Sequence, residues 1–185
     1  TSTNGTTWSG STAIARAQRI SKHTWTTNDL ERFALHCVDT SDQLIYYPSD
    51  GYTVATDQPI LRATDGTFDA NIFTLPATLA GDVDRAITSL RFFDPYIYFG
   101  TWVATGANSI WRVFQLNTKS GAITSVGPTV SATGVVAISD FANFNGRIYA
   151  MTARNGTSQA VQSIRPPDGD IPGETAWTTE FTPTD

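Results

Sequence analysis

The adjacent pair His36-Cys37 carries the groups in this chain best suited to nucleophilic or metal chemistry. On an extended strand, however, alternate side chains point to opposite faces, so the two cannot share one site. Cys37 then reads as a small buried hydrophobe of an inner strand, and His23 has no partner close in sequence. Two His and one Cys in 185 residues leave almost no scope for imidazole acid–base catalysis or a zinc site. No catalytic residue, metal ligand or cofactor is therefore assigned, and the expectation is a protein that is not an enzyme. Carboxylates are more plentiful. Asp39 and Asp42, Asp65 and Asp69, Asp82 and Asp84, and Asp168 and Asp170 are spaced closely enough to offer oxygen ligands. None reproduces the Asp-x-Asp-x-Asp-Gly calcium loop with its distal Glu, so they read as turn formers.

Arginine and tryptophan offer a different chemistry, recognition. Arg16, Arg62, Arg112 and Arg165 recur at similar places in successive segments, and Trp25, Trp111 and Trp177 stand near them in sequence or in the repeat described below. Two readings of the arginines compete. Each guanidinium can pair with a neighbouring turn Asp or with strand carbonyls, for which five fixed donors suit it. Alternatively, the arginines ring a set of pockets that bind a sugar or an acidic group. The tryptophans divide the same way, because an exposed indole stacks on sugar rings while a buried one packs between sheets. Arg16, Arg62, Arg112, Arg165, Trp25, Trp111 and Trp177 are thus the candidate ligand residues.

Composition says which partners to expect. A net charge of −5 and a pI near 4.8 argue against a phosphate-binding surface, and no basic run is present. The apolar stretches are too short for a membrane span, and the first residues have neither the charged nor the apolar region of a signal peptide. The chain lacks an initiator Met, from which a processed product or a fragment of something longer is expected. Aromatic and β-branched residues are plentiful and Glu appears only at Glu31, Glu174 and Glu180. That palette suits pleated strands joined by Gly, Asp and Asn turns.

A repeat decides the architecture. Ala34–Val38, Ala86–Leu90 and Ala137–Phe141 align with steps of 52 and 51 residues, and the Ile-Tyr pairs at Ile45-Tyr46, Ile97-Tyr98 and Ile148-Tyr149 keep the same steps. A third strand follows in each copy, with Ile60-Leu61-Arg62, Ile110-Trp111-Arg112 and Ser163-Ile164-Arg165. Turn residues come next, at Asp65-Gly66, Lys119-Ser120-Gly121 and Asp168-Gly169. Outer strands are expected around Phe68–Leu75, Ala122–Val126 and Ala176–Phe181. Four short antiparallel strands in about 51 residues describe a propeller blade. The chain is therefore predicted to be all-β, a β-propeller or part of one, with blades at 30–82, 83–133 and 134–185. Residues 1–29 read as a partial blade made of outer strands, with Ile14-Ala15-Arg16 and Thr24-Trp25-Thr26-Thr27 echoing later strands. A closed ring takes at least four blades. The missing inner strand is expected from the rest of a longer protein or from another chain.

Two family resemblances accompany this pattern. Pro59-Ile60-Leu61-Arg62-Ala63-Thr64-Asp65-Gly66-Thr67-Phe68-Asp69, Gly81-Asp82-Val83-Asp84 and Leu90-Arg91-Phe92-Phe93 resemble a stretch of the tail nozzle protein of short-tailed bacteriophages. That likeness implies a virion structural protein present in several copies around an axis. Val136-Ala137-Ile138-Ser139 with Phe144-Asn145-Gly146-Arg147-Ile148-Tyr149 is similar to the inner two strands of fucose-binding propeller lectins. Those pockets use an Arg, a Glu and an aromatic residue, and the third strands here contain no Glu. The expectation is a non-enzymatic structural or binding component of a larger assembly, a phage tail or other virion protein. Its partners would be other chains of that assembly or the rest of the propeller. The alternative is an extracellular carbohydrate-binding lectin with a glycan as partner.

Overall fold

A computed structural model of the chain describes residues 37–40, 42–51, 58–65, 69–74, 85–105, 108–134, 136–154 and 160–182. The expected partial blade at 1–29, the strand residues 34–36, and Arg16, Trp25 and His36 lie outside them. The described residues are all-β and contain no helix, hence none long and apolar enough to cross a membrane. The chain divides into two compact units, Thr1–Ala77 and Thr78–Asp185.

The first unit holds strands β1 (Cys37–Asp39), β2 (Leu44–Gly51), β3 (Gln58–Thr64) and β4 (Asp69–Thr74), hydrogen-bonded in that order as an antiparallel meander. Tyr46 and Tyr47 follow each other on β2 and so point to opposite faces, yet both are buried. Cys37 is half-buried. Burial of the Tyr46 hydroxyl, with Asp39, Asp42 and Cys37 nearby, pushes its pKa up to about 12.

The second unit holds two further meanders. Strands β5 (Arg85–Phe93), β6 (Tyr96–Thr105), β7 (Asn108–Asn117) and β8 (Ile123–Thr133) form one sheet. Strands β9 (Val136–Phe144), β10 (Arg147–Arg154), β11 (Ala160–Ile164) and β12 (Thr178–Phe181) form the other. The three Ile-Tyr pairs thus all lie on the second strand of a four-stranded sheet. Their surroundings match without being identical. Leu90 pairs with Phe99 and Phe141 with Ala150, whereas Val38 pairs with Ile45. The reason is turn length: Phe93 faces Tyr96 across Asp94-Pro95 and Phe144 faces Arg147 across Asn145-Gly146, but Asp39 faces Leu44 across residues 40–43. Asn145 and Gly146 adopt φ of 51° and 73°, the left-handed pair that a two-residue hairpin with the strands' own twist requires.

The sheets of the second unit pack face to face. Tyr98, Trp111, Val113 and Val126 meet Ile138, Phe141, Ile148, Ala150 and Ile164 in one core cluster. Removing each large side chain of this kind from water contributes about 1.5–3 kcal/mol. The passage between the sheets is fixed by Ser109, which is fully buried. Its Oγ lies 2.8 Å from the Gly134 carbonyl and 3.1 Å from that of Val136, and accepts the Val136 N–H at 2.9 Å. At the inner strands, Arg91 Nε and Nη2 donate to the two oxygens of Asp140 at 2.6 and 2.8 Å. The β5–β8 sheet is buried on its other face too, where Ile97 and Phe99 have no exposed surface. In the β9–β12 sheet the opposite face buries Ser163 fully but leaves Phe144 71% exposed, and every residue of β12 is exposed.

Candidate functional site

The site grows from a single backbone position on β8. Gly127 has φ of +68°, and a Cβ there would stand 2.4 Å from Ile164 Cδ1 and 2.9 Å from Trp177 Nε1. Only glycine lets the neighbouring sheet come this close. Trp177 consequently packs edge-on against Trp111, with ring centroids 5.4 Å apart, and its indole N–H donates to the Pro128 carbonyl at 3.4 Å. The connection between β11 and β12 is thereby drawn alongside β8. An open groove of about 420 Å³ remains between them, lined by Thr124, Ser125, Gly127 and Pro128 on one side and Pro167, Gly173, Glu174 and Thr175 on the other.

Glu174 is the charged group of this groove, and its carboxylate is held from three directions. Arg147 Nη1 and Nη2 donate to Oε1 and Oε2 at 2.8 and 2.9 Å, and the Arg165 backbone N–H donates to Oε2 at 3.0 Å. Arg147 Nε donates to Ser163 Oγ at 3.0 Å, and that buried hydroxyl donates in turn to Glu180. Such a fork is fixed in direction as well as in charge. The Arg147 guanidinium beside Glu174 holds the carboxyl below the ordinary carboxylate range, and Glu174 raises Arg147. A carboxylate kept ionised offers acceptor lone pairs to a ligand hydroxyl or N–H and is a poor proton donor. Across the same sheets, Tyr96 Oη donates to Asp168 at 3.0 Å and Gln115 Nε2 to the Pro167 carbonyl at 2.9 Å, fixing the far end of the connection. Among the described residues no group of three His, Cys, Asp or Glu lies close enough to hold a metal ion.

The candidate residues read from the sequence are distributed unevenly about this groove. Trp111 is only 1% exposed and belongs to the core, so its face is covered by protein. Trp177 is half-buried against Trp111, beside Gly127. Arg165 is exposed just beyond β11, and its backbone rather than its guanidinium binds Glu174. Arg112 is half-buried on β7 opposite Thr101, and Arg62 lies on β3 opposite Tyr47. Counted from the marker isoleucine of each second strand, Arg62 stands two residues on, Arg112 four, and Arg165 beyond the last pair. The three therefore occupy different heights on their sheets. Trp111 and Trp177 are brought together, whereas Arg62, Arg112 and Arg165 do not share one register position.

The residues that shape the groove most, Arg147 and Glu174, were not singled out from the sequence. The scarcity of Glu was the available signal, since two of the three in the chain, Glu174 and Glu180, gather around Arg147. No model of a known protein family matches the chain, and a search of curated proteins finds no relative.

Proposed function

We propose that the chain is a run of β-propeller blades that serves, without catalysis, as a structural component of a larger assembly, a phage tail or other virion part. The observation that carries this reading is the double burial of the β5–β8 meander. Tyr98 and Phe99 are neighbours on opposite faces and are 2% and 0% exposed, as expected of a blade held between blades. Three meanders of the same order, recurring at about 51 residues, support it further. So does Trp111, an aromatic group spent on packing. Antibodies raised against the chain test the biological part. Immunogold labelling of virions from the source, at one position along the particle, is the expected result, and label confined to cellular fractions without particles sinks it.

A second reading, a carbohydrate-binding propeller, is favoured by one feature, the groove in which a fixed Glu174 carboxylate faces the hydroxyl-bearing side chains Thr124, Ser125 and Thr175. A glycan array decides it. Selective binding that is lost on Glu174→Gln supports the lectin, and an array without signal removes it.

A further inference from the structure

The last stretch of the second unit, residues 166–181, is attached differently from the rest. None of its residues is buried, and Trp177 against Trp111 is its half-buried apolar anchor. Among the described residues, every side-chain acceptor that fastens it is a carboxylate. Asp168 accepts from Tyr96 Oη on β6, Glu174 accepts from Arg147 on β10 and from the Arg165 N–H, and Glu180 accepts from the buried Ser163 hydroxyl on β11. Three strands of the body thus aim donors at carboxylate oxygens, and charge-assisted bonds of this kind are the strong ones. The fastenings that need no carboxylate are weaker. Gln115 Nε2 reaches the Pro167 carbonyl, the Glu174 N–H reaches that of Arg165, and the Trp177 indole reaches that of Pro128 at 3.4 Å. The β12 ladder runs only from Val161–Phe181 to Ser163–Thr178, with a bulge inside it.

We propose that residues 166–181 form a strap that acid releases from the sheet beneath it. The device stands apart from the propeller reading, since it needs no ring. Protonation places a hydrogen on oxygens that now only accept and discharges the partner of Arg147. The groups that bear on the strap all act in this direction. Arg147 faces Glu174, with Glu180 and Tyr149 near the same guanidinium, and Arg165 stands beside Glu174. Both arginines keep their charge in acid, so protonation of the strap leaves them unopposed. On the other arm Tyr96 faces Asp168 with Tyr98 close by, and burial raises both tyrosines, which remain protonated donors there. Arg147 holds the Glu174 carboxyl below the ordinary range, so that fastening is complete at neutral pH and is lost as pH falls below about 4. The core beneath, built from Val113, Val126, Ile138, Phe141, Ile148 and Ile164, has no charge to lose. Release would take away the groove wall formed by Pro167, Gly173, Glu174 and Thr175 and bare the outer edge of β11.

Amide hydrogen exchange of the whole 185-residue chain tests this, expressed as protection factors so that the intrinsic effect of pH is removed. Between about pH 7 and about pH 3, protection within 166–181 should fall about tenfold or more and approach that of an unfolded peptide. The β6–β7 and β9–β10 ladders should stay at least about a hundredfold slower than the strap. The variant D168N/E174Q/E180Q removes the three charges and should show the released strap already at about pH 7, with the same ladders protected. D140N breaks the Arg91–Asp140 fork outside the strap and should leave the 166–181 amides as they are in the natural chain. Strap protection that is indifferent to both acid and the triple variant overturns the proposal. So does a triple variant in which strap and ladders open together. Should the natural chain unfold as a whole by pH 3, the triple variant at neutral pH decides between the same two outcomes.

Discussion

Replacing Gly127 by Ala puts one methyl group where two sheets touch, and the geometry fixes what that costs. The residue sits at φ +68°, where an L-side chain costs about 1–2 kcal/mol, offset by up to about 1 kcal/mol because alanine restricts the unfolded chain. Gly121, at φ +72°, provides the reference, since a Cβ there meets nothing within 4 Å. Gly121→Ala should therefore carry the backbone effect alone. At Gly127 the new methyl also stands 2.4 Å from Ile164 Cδ1 and 2.9 Å from Trp177 Nε1, so β8 and the facing sheet must part or distort. Overpacking of that kind costs about 1–3 kcal/mol. At about 4–8 °C per kcal/mol for a unit of this size, Gly127→Ala should melt roughly 4–24 °C below Gly121→Ala. Circular dichroism melts at 218 nm, a wavelength chosen for strand content, measure both, and the tryptophan near-ultraviolet signal reports whether the Trp111–Trp177 contact goes first. Equal midpoints for the two variants would show that the close approach of the sheets is not what demands glycine at 127.

Two further outcomes are expected. Stability should be level across neutral pH and fall at both extremes, as melting midpoints at about pH 3, 7 and 11 will show. Asp140 and Glu174 have folded pKa values below the ordinary range because of Arg91 and Arg147, so their contribution is present above about pH 4 and is lost as pH falls further. Tyr46 and Tyr98 are raised mainly by burial, so theirs is intact below about pH 10 and is lost as pH climbs towards the folded values. Trp111→Ala, at a site 1% exposed, should cost about 3–5 kcal/mol in urea unfolding, and a loss below about 1 kcal/mol would mean that the indole does not anchor this core.

The meander order was legible because its signals are local. An Ile-Tyr strand and a regular step need no tertiary information, and β2, β6 and β10 fall where they point. Register was not legible, since it depends on where each second and third strand pair: Ile45 and Ile97 pair with residues 19 further on but Ile148 with one 16 further on, and Arg112 follows its marker isoleucine by 15 residues where Arg62 and Arg165 follow theirs by 17. That is why Arg62, Arg112 and Arg165 look matched in the chain and stand at different heights in space. Trp111 escaped for a related reason. Strands buried on both faces lose the alternation that separates inward from outward side chains. The groove depended on Arg147 reaching Glu174 across 27 residues, from an irregular connection that delays the last outer strand to Thr178.

Ser109 holds the end of one sheet to the start of the next with a single hydroxyl, bound at 2.8 Å to Gly134 and at 2.9 Å to Val136. Such a clasp fixes the step from one sheet to the next within the chain itself. In the proposed propeller, the step between these blades would be set by a residue that is itself fully buried.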